Sequence, residues 1–277
     1  MRSTLTNLLK RRDLLAALVS AELRASSAGM RLGSLWWVLD PILMMLVYWL
    51  VLDVLLGRGR EAYQPFPVFL LVGLVVFKHV ASGIERSITV LRTKEALIKA
   101  AAFPTMVLPV AAVLTGLVHF LFGLVIVVVV SLFWRGEQHS GSYAALLQLV
   151  PLVAFQTMLV VGLAMAISAI GVVVQDLRAV TTHVMRVAFW LSPCLYGLDL
   201  VREVAEARLG DAAGPVLATY LALNPIAVLN TAYREAIFYG QGVPLWAWGT
   251  LAAQAGVCLL AGNAIYQHHD RRIIKFL

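Results

Sequence analysis

Six ionisable side chains interrupt long apolar stretches of this sequence and are the first candidates for chemistry. They are Asp40, Asp53, Lys78, His79, Glu85 and Arg86. Ionisable groups within membrane-spanning segments are costly and usually face a cavity or a partner. A proton relay needs several carboxylates at mid-depth, whereas most of these groups lie near the ends of apolar runs and can extend to the interface. Lys78 is the exception and marks a position to test.

Sequence signatures of catalysis are missing. The chain has no GxxxxGK[ST] phosphate loop, so nucleotide hydrolysis must come from another polypeptide. It also lacks HExxH, GxSxG and any dense carboxylate cluster suited to metal-dependent transfer. Haem ligation by His79, His119 or His183 needs facing pairs at matched depth, and packing is the simpler interpretation. Cys194 and Cys258 define neither a disulfide framework nor a metal site.

Aromatic side chains concentrate in two apolar segments. The first segment carries Trp36, Trp37, Tyr48 and Trp49, and a later one carries Phe189, Trp190 and Tyr196. Tryptophan and tyrosine belts are ordinary at membrane interfaces. The other interpretation is that some of these rings line a conduit, because aromatic faces stack on the C–H surfaces of sugars without holding one residue tightly.

The composition is that of an integral membrane protein. Hydrophobic residues make up 61% of the 277 residues and charged residues 13%, with a mean hydropathy of +0.85; soluble domains carry about 25% charged residues. Helices satisfy their own backbone polar groups in lipid, so the fold should be all-α. Apolar runs of about 20 residues or more predict six spans, at residues 34–56, 67–90, 104–133, 147–174, 179–198 and 243–265.

Lysine and arginine predict the orientation of these spans. They are enriched before residue 34, between spans two and three, around the start of span five and after residue 265, whereas acidic residues dilute them in the other connections. The positive-inside rule therefore predicts that both termini are cytoplasmic. The net charge of +7 then reflects topology and anionic lipid head groups, and a nucleic-acid partner is not expected.

Three segments outside the spans have helical character. Residues 1–31 carry leucines at near-helical spacing and predict an interfacial helix on the cytoplasmic leaflet, followed by a bend at Gly33; its role could be gating or anchoring alone. Residues 92–102 predict a short charged helix that docks a partner or is simply solvated. Residues 199–240 are too long for a turn and too amphipathic for a span, which predicts re-entrant or interfacial helices. We expect residues 266–277 to form a cytoplasmic tail. We also expect residues 1–277 to form a single domain.

Six short motifs occur in order at matching places along these spans. They are Arg31-Leu32-Gly33 with Leu35-Trp36 and Pro41, Phe66 to Leu71 with Gly73-Leu74, Arg86-Ser87-Ile88, Gln175-Asp176-Leu177-Arg178, Ser192-Pro193 with Tyr196, and Leu223-Asn224-Pro225. With these motifs the chain resembles the transmembrane subunits of ABC-2-type exporters of bacterial surface polysaccharides, which export capsule, O-antigen or teichoic acid. The motifs near residues 31 and 66 are more similar to capsule exporters, and those at 175–178 and 192–193 to the other two classes.

The resemblance implies an all-α membrane protein of the ABC-2, or type V, exporter fold. Its six transmembrane helices would be joined by an N-terminal amphipathic interface helix and short external re-entrant helices. It implies a homodimer in the bacterial cytoplasmic membrane, with a channel between the two copies of spans one and five. The implied channel-lining aromatic residues are Tyr48, Trp49, Phe189, Trp190 and Tyr196.

The resemblance also implies partners and a substrate. Two separate ATPase subunits would bind ATP and magnesium, while this chain would bind no cofactor or metal. Their contact with this chain would be made by the coupling residues Arg92, Lys94, Glu95 and Lys99. The substrate would be a lipid-linked glycan, whose anionic head group would be attracted by Arg24 and Arg31 beside Trp36 and Trp37. Membrane lipids and periplasmic or outer-membrane export components complete the expected partners.

Three alternatives remain open on the sequence. An ABC-2 permease for a small molecule or lipid predicts a narrow interface with few lining aromatics. A membrane enzyme acting on a polyprenyl phosphate requires clustered carboxylates with bound metal. A structural subunit of a redox complex predicts haem absorbance.

Overall fold

The computed structural model describes residues 11–28, 31–57, 63–100, 104–134, 142–174 and 176–276, and these residues form helices without strands. The α-helices in chain order are α1 Arg12–Ser27, α2 Trp36–Trp49, α3 Phe66–Thr93, α4 Glu95–Ala100, α5 Val107–Trp134, α6 Leu149–Val173, α7 Leu177–Leu191, α8 Leu198–Leu209, α9 Ala213–Leu223, α10 Pro225–Arg234 and α11 Leu245–Phe276. The π-helical segments Leu50–Leu55 and Glu235–Tyr239 extend α2 and α10. Short 3-10 turns occupy Gly33–Leu35, Tyr143–Gln148 and Gly210–Ala212.

Within the described ranges, five helical segments are long and apolar enough to cross a membrane. They are Gly33–Leu55, Phe66–Thr93, Val107–Phe133, Tyr143–Val173 and Leu245–Asp270. A sixth is counted if Leu198–Leu223 and Pro225–Tyr239, which meet at 94°, form one bent unit. The protein is therefore an all-α, multi-pass membrane protein, as the composition predicts.

The predicted fifth span, 179–198, is too long. Helix α7 has 15 residues and ends at Leu191, which gives it a length of about 22 Å, less than the roughly 30 Å of hydrocarbon. It stops because Ser192 precedes Pro193, and a residue before proline is pushed out of the helical region; Ser192 is extended, with φ −93° and ψ 149°. The predicted bounds of this span are therefore wrong, because residues 179–198 do not form one continuous helix.

The segment 199–240 forms the short helices that its composition predicts. Helices α8 and α9 meet α10 at a sharp bend, at which the Asn224 side chain accepts a hydrogen bond from the Ala227 amide at 3.1 Å. Gly240 ends the following π-helical segment with φ +64°, a left-handed conformation that favours glycine. A bend of this kind is found in a re-entrant hairpin or a broken span.

Both ends of the chain differ in extent from their predictions. The interfacial helix is present as α1 from Arg12, and residues 1–10 lie outside the described part of the chain. The bend before the first span is present, since Gly33 adopts φ +47°. At the other end, α11 continues to Phe276, so the predicted tail is an extension of the last helix. Helix α4 ends at Ala100, and residues 101 and 102 of the predicted coupling segment are outside the described residues.

Helix α3 is the centre of the bundle and α2 lies at its edge. The buried share of the most apolar window is 72% for Phe66–Thr93 and 11% for Gly33–Leu55. Helices α6 and α11 approach backbone to backbone, because a Cβ on Gly262 would overlap the Gly162 carbonyl. Small residues allow such close packing in membranes, where lipid is as apolar as leucine and close contact supplies the attraction.

The contact between α6 and α11 can be tested by replacing Gly262 with leucine. The larger side chain forces the helices apart, and we expect a loss of about 1–3 kcal/mol of stability, measured as a lower midpoint of SDS denaturation. Gly256→Leu is the matched control, because a Cβ at Gly256 meets nothing within 4 Å. Equal midpoints for the two variants would contradict this packing.

Candidate functional site

An ion pair between α2 and α3 stands where two cavities meet. The carboxylate of Asp40 contacts the ammonium of Lys78. One cavity, of about 430 Å³, lies between α2, α3, α5 and the end of α1, and we call it the inner cavity. The other, of about 470 Å³, lies between α2, α3 and α7, and we call it the aromatic groove. Asp40, Pro41, Lys78 and Ser82 line both.

The aromatic groove combines rings with charges. Phe189 of α7 lies 5.7 Å from the Tyr48 ring of α2 and 5.0 Å from the Phe77 ring of α3, measured between centroids. The exposed Trp190 ring follows, and Glu85 and Arg186 also line the groove. Charges on a span are costly against lipid, so this side of α2 and α7 suits water, a partner or a polar substrate.

The inner cavity holds most of the ionisable groups found in the apolar stretches. Lys78, His79, Arg86 and His119 line it together with Asp40. A terminal nitrogen of Arg86 lies 3.4 Å from Nδ1 of His119. The His119 ring in turn packs edge-on against Trp37, with 4.4 Å between centroids. Lys78, singled out on the sequence, is therefore at the junction of the two cavities.

The structure separates the predicted substrate-binding residues. Trp36 and Trp37 line the inner cavity, whereas Arg24 and Arg31 are exposed and line neither cavity. Of the predicted channel aromatics, Tyr48, Phe189 and Trp190 share the aromatic groove. Their roles stay predictions.

The other two predicted channel aromatics make local hydrogen bonds instead. The Trp49 indole donates to Asp53 at 2.9 Å, and the Tyr196 hydroxyl donates to the Trp190 carbonyl at 2.8 Å. Neither ring lines the inner cavity or the aromatic groove. Both residues thus fix helix ends next to the groove, and a direct contact with substrate stays a prediction for them.

The predicted coupling residues connect α3 with α6 and the junction of α3 and α4 with α1. Arg92 donates to the Val172 carbonyl at the end of α6, at 2.8 Å. Lys94 pairs with Glu22 of α1 at 3.9 Å, and Glu95 pairs with Lys99 one turn later. Leu18 of α1 packs on the same apolar cluster as Leu97 and Ile98 of α4. The interfacial helix and the short charged helix therefore share one support.

Arg234 is the structural residue that the sequence does not reveal. Its side chain is 3% exposed and donates to the carbonyls of Pro193 at 2.6 Å, Cys194 at 2.6 Å and Tyr196 at 2.8 Å. Its guanidinium carbon lies 3.5 Å from the centre of the Phe69 ring. The sequence places Arg234 in an external connection. Its structural role cannot be predicted from the sequence, because the acceptors of its hydrogen bonds are backbone carbonyls 38 to 41 residues away. The one sequence signal is an arginine between the apolar stretches 226–229 and 236–239.

A second contact closes the same region. The Tyr63 hydroxyl donates to Asp199 at 2.8 Å. Burial, and then this hydrogen bond, raise the pKa of Tyr63, so the phenol keeps its proton and the donor role at neutral pH. Together Arg234 and Tyr63 hold the connection between α7 and α8 against α3. Among the described residues, no cluster of three or more His, Cys, Asp or Glu side chains could hold a metal ion.

Comparison with known proteins shows the family of this chain. Residues 13–205 match the ABC-2 type transporter family, and the chain belongs to that family. It is 31% identical over 92% of its length to an O-antigen export system permease protein, RfbA, from Myxococcus xanthus, of which it covers 92%. It is 26% identical to an RfbA of Klebsiella pneumoniae, over 82% of this chain and 81% of that protein. It is 23% identical to the polysialic acid transport protein KpsM of Escherichia coli, over 93% and 94%.

Replacing Arg234 with lysine tests the buried carbonyl cage. Lysine keeps the charge but not the planar fork that reaches carbonyls in three directions. Each buried carbonyl left unpaired costs about 1–3 kcal/mol, so the SDS-denaturation midpoint should fall clearly. Arg202→Lys on the exposed face of α8 is the control and should change little. An Arg234→Lys midpoint equal to that of the control would show that the cage contributes nothing.

Proposed function

We propose that this chain is the channel-forming subunit of an ATP-driven exporter that moves lipid-linked polysaccharide across the bacterial cytoplasmic membrane. The aromatic groove is the observation that carries the proposal. Tyr48, Phe189 and Trp190 offer stacking faces, and Asp40, Lys78, Glu85 and Arg186 offer hydrogen bonds along the same surface. Rings with interspersed polar groups suit a sugar chain that must slide. The relatives named for O-antigen export and polysialic acid transport support this substrate class.

A pair of copies makes a channel from this groove. The groove is open on the side away from the core, where α2 and α7 expose apolar side chains such as Val47 and Val187. A second copy opposed to this side would enclose the charged groups that lipid disfavours. The homodimer is therefore part of the proposal, with both termini in the cytoplasm.

The energy source is proposed to be a separate pair of ATPase subunits. The sequence has no phosphate loop, so the free energy for transport must come from nucleotide hydrolysis by another polypeptide. Helix α4 and the Lys94–Glu22 pair provide the docking surface. The alternatives of a small-molecule substrate, a polyprenyl-phosphate enzyme and a redox subunit have no comparable support in the groove or the relatives.

Removing aromatic faces from the groove tests the substrate path. In a strain whose export depends on this chain, Phe189→Ala combined with Trp190→Ala should lower surface polysaccharide about tenfold, equivalent to roughly 1.4 kcal/mol, with polymer accumulating inside. Phe133→Ala removes a ring that is 87% exposed on α5 and should export normally. Normal surface polymer in the double variant, at equal protein level, would contradict the groove. Normal surface polymer without the chain would contradict the function.

The coupling surface has its own test in the purified complex with the ATPase subunits. Glu95→Gln with Lys99→Gln removes both charges from α4 and should reduce substrate-stimulated ATP hydrolysis severalfold. Arg202→Gln with Glu206→Gln removes a pair of the same spacing from exposed positions of α8 and is the control. Stimulated turnover that is equal in both variants would remove α4 from the docking site.

A further inference from the structure

We propose that the inner cavity is a phosphate-binding site formed by Lys78, His79, Arg86 and His119. The inference rests on the proposed function for the source of the phosphate, which is a lipid-linked head group in the cytoplasmic leaflet. It differs from the sequence-based assignment to Arg24 and Arg31, which line neither cavity.

His79 supplies the first argument. Its side chain is 2% exposed, and its ring nitrogens make no well-formed hydrogen bond among the described residues, since the ring has only a weaker polar contact with the Gly116 backbone. A buried polar group without a partner costs about 1–3 kcal/mol. The ring is held by stacking on Phe120, with 4.8 Å between centroids and 24° between planes. A buried imidazole on the cavity wall whose hydrogen bonding the fold leaves incomplete points to a ligand that completes it.

His119 supplies a second donor. When its Nδ1 accepts from Arg86, the ring proton resides on Nε2. Nε2 is buried and has no partner among the described residues. The Arg86 contact thus selects the tautomer whose free N–H lines the cavity. Trp37 packs against the ring and fixes its plane.

The charge balance favours an anion. Asp40 is the one carboxylate among the residues lining the inner cavity, and Lys78 pairs with it. Arg86 forms no ion pair within 4 Å in the described part of the chain; the acidic group that acts on it is the more distant Glu22 of α1, which leaves its N–H donors available to an anion in the cavity. Arginine binds phosphate oxygens through two parallel N–H donors, and such charge-assisted bonds are roughly twice as strong as neutral ones.

Position and size agree with a head group. Ser26 at the end of α1 and Trp36 at the start of the first span line the cavity, so it reaches the level at which a lipid phosphate lies. Its volume of about 430 Å³ is in the range of roughly 300–1,000 Å³ typical of small-ligand sites.

The test measures binding to the full chain in nanodiscs of zwitterionic phosphatidylcholine. The probes are geranyl diphosphate, dihexanoyl phosphatidic acid and inorganic pyrophosphate, with geraniol as the uncharged reference. Wild type should bind at least one phosphate probe at least tenfold more tightly than geraniol. The preferred probe identifies the source as a prenyl diphosphate, a phospholipid or a free anion.

Variants assign the binding to the cavity. His119→Phe, His79→Phe and Arg86→Gln should each weaken the preferred phosphate probe about tenfold and leave geraniol unchanged. His183→Phe and Arg202→Gln, at exposed positions of α7 and α8, are the matched controls and should bind as wild type does. His79→Phe removes two buried nitrogens that make no well-formed hydrogen bond, so its SDS-denaturation midpoint should not fall while its affinity does.

Two results would overturn the site. One is equal binding of geraniol and all phosphate probes by wild type, and the other is undiminished phosphate binding in all three cavity variants. The export assay separates this inference from the proposed function. Export that depends on the chain, combined with either of these results, refutes the cavity alone; phosphate binding in the cavity without any chain-dependent export refutes the function alone.

Discussion

Charge inside an apolar helical bundle is the constraint on which the rest of this structure depends. An isolated ion in such a medium costs many kcal/mol unless it is paired, hydrogen-bonded or in contact with water. The chain compensates its charges in three ways. Arg234 is surrounded by backbone carbonyls, and Lys78 is paired with Asp40. Arg86 donates a hydrogen bond to Nδ1 of the His119 ring. Arg234 is satisfied by acceptors within the fold, which separates this structural cation from Lys78 and Arg86, which line the inner cavity.

The enclosed cation fixes the wall of the groove. Arg234 binds the carbonyls that follow Ser192, where α7 has just ended at a proline. A chain break in lipid leaves backbone acceptors without partners, and a guanidinium can satisfy several of them at once. Gly73 makes room for this contact, because a Cβ there would lie 2.7 Å from the Arg234 side chain. Helix α7, which carries Phe189 and Trp190, is therefore positioned by a residue outside the groove.

Much of the fold can be predicted from the sequence, and the predictions that were wrong or missing have physical explanations. Hydropathy locates five spans, and Gly33 and Asn224 mark the bend and the cap where the structure has them. Hydropathy alone extends the predicted fifth span past Ser192-Pro193, because the apolar residues continue there. The helix itself ends at Leu191. Arg234 was missed because its acceptors are peptide groups distant in sequence. The trio of His79, Arg86 and His119 is divided between α3 and α5, so its assembly required the packing of the two helices.

The link from α4 to the inner cavity depends on apolar contact more than on charge. Glu22 and Lys94 have side chains that are 35% and 39% exposed, and such pairs contribute about 0–1 kcal/mol. Burial of a leucine contributes about 1.5–3 kcal/mol when complete, and Leu18 packs on the cluster that also receives Leu97 and Ile98. Helix α1 then ends beside the cavity at Ser26. Helix α1 thus connects the apolar cluster that supports α4 with the edge of the inner cavity.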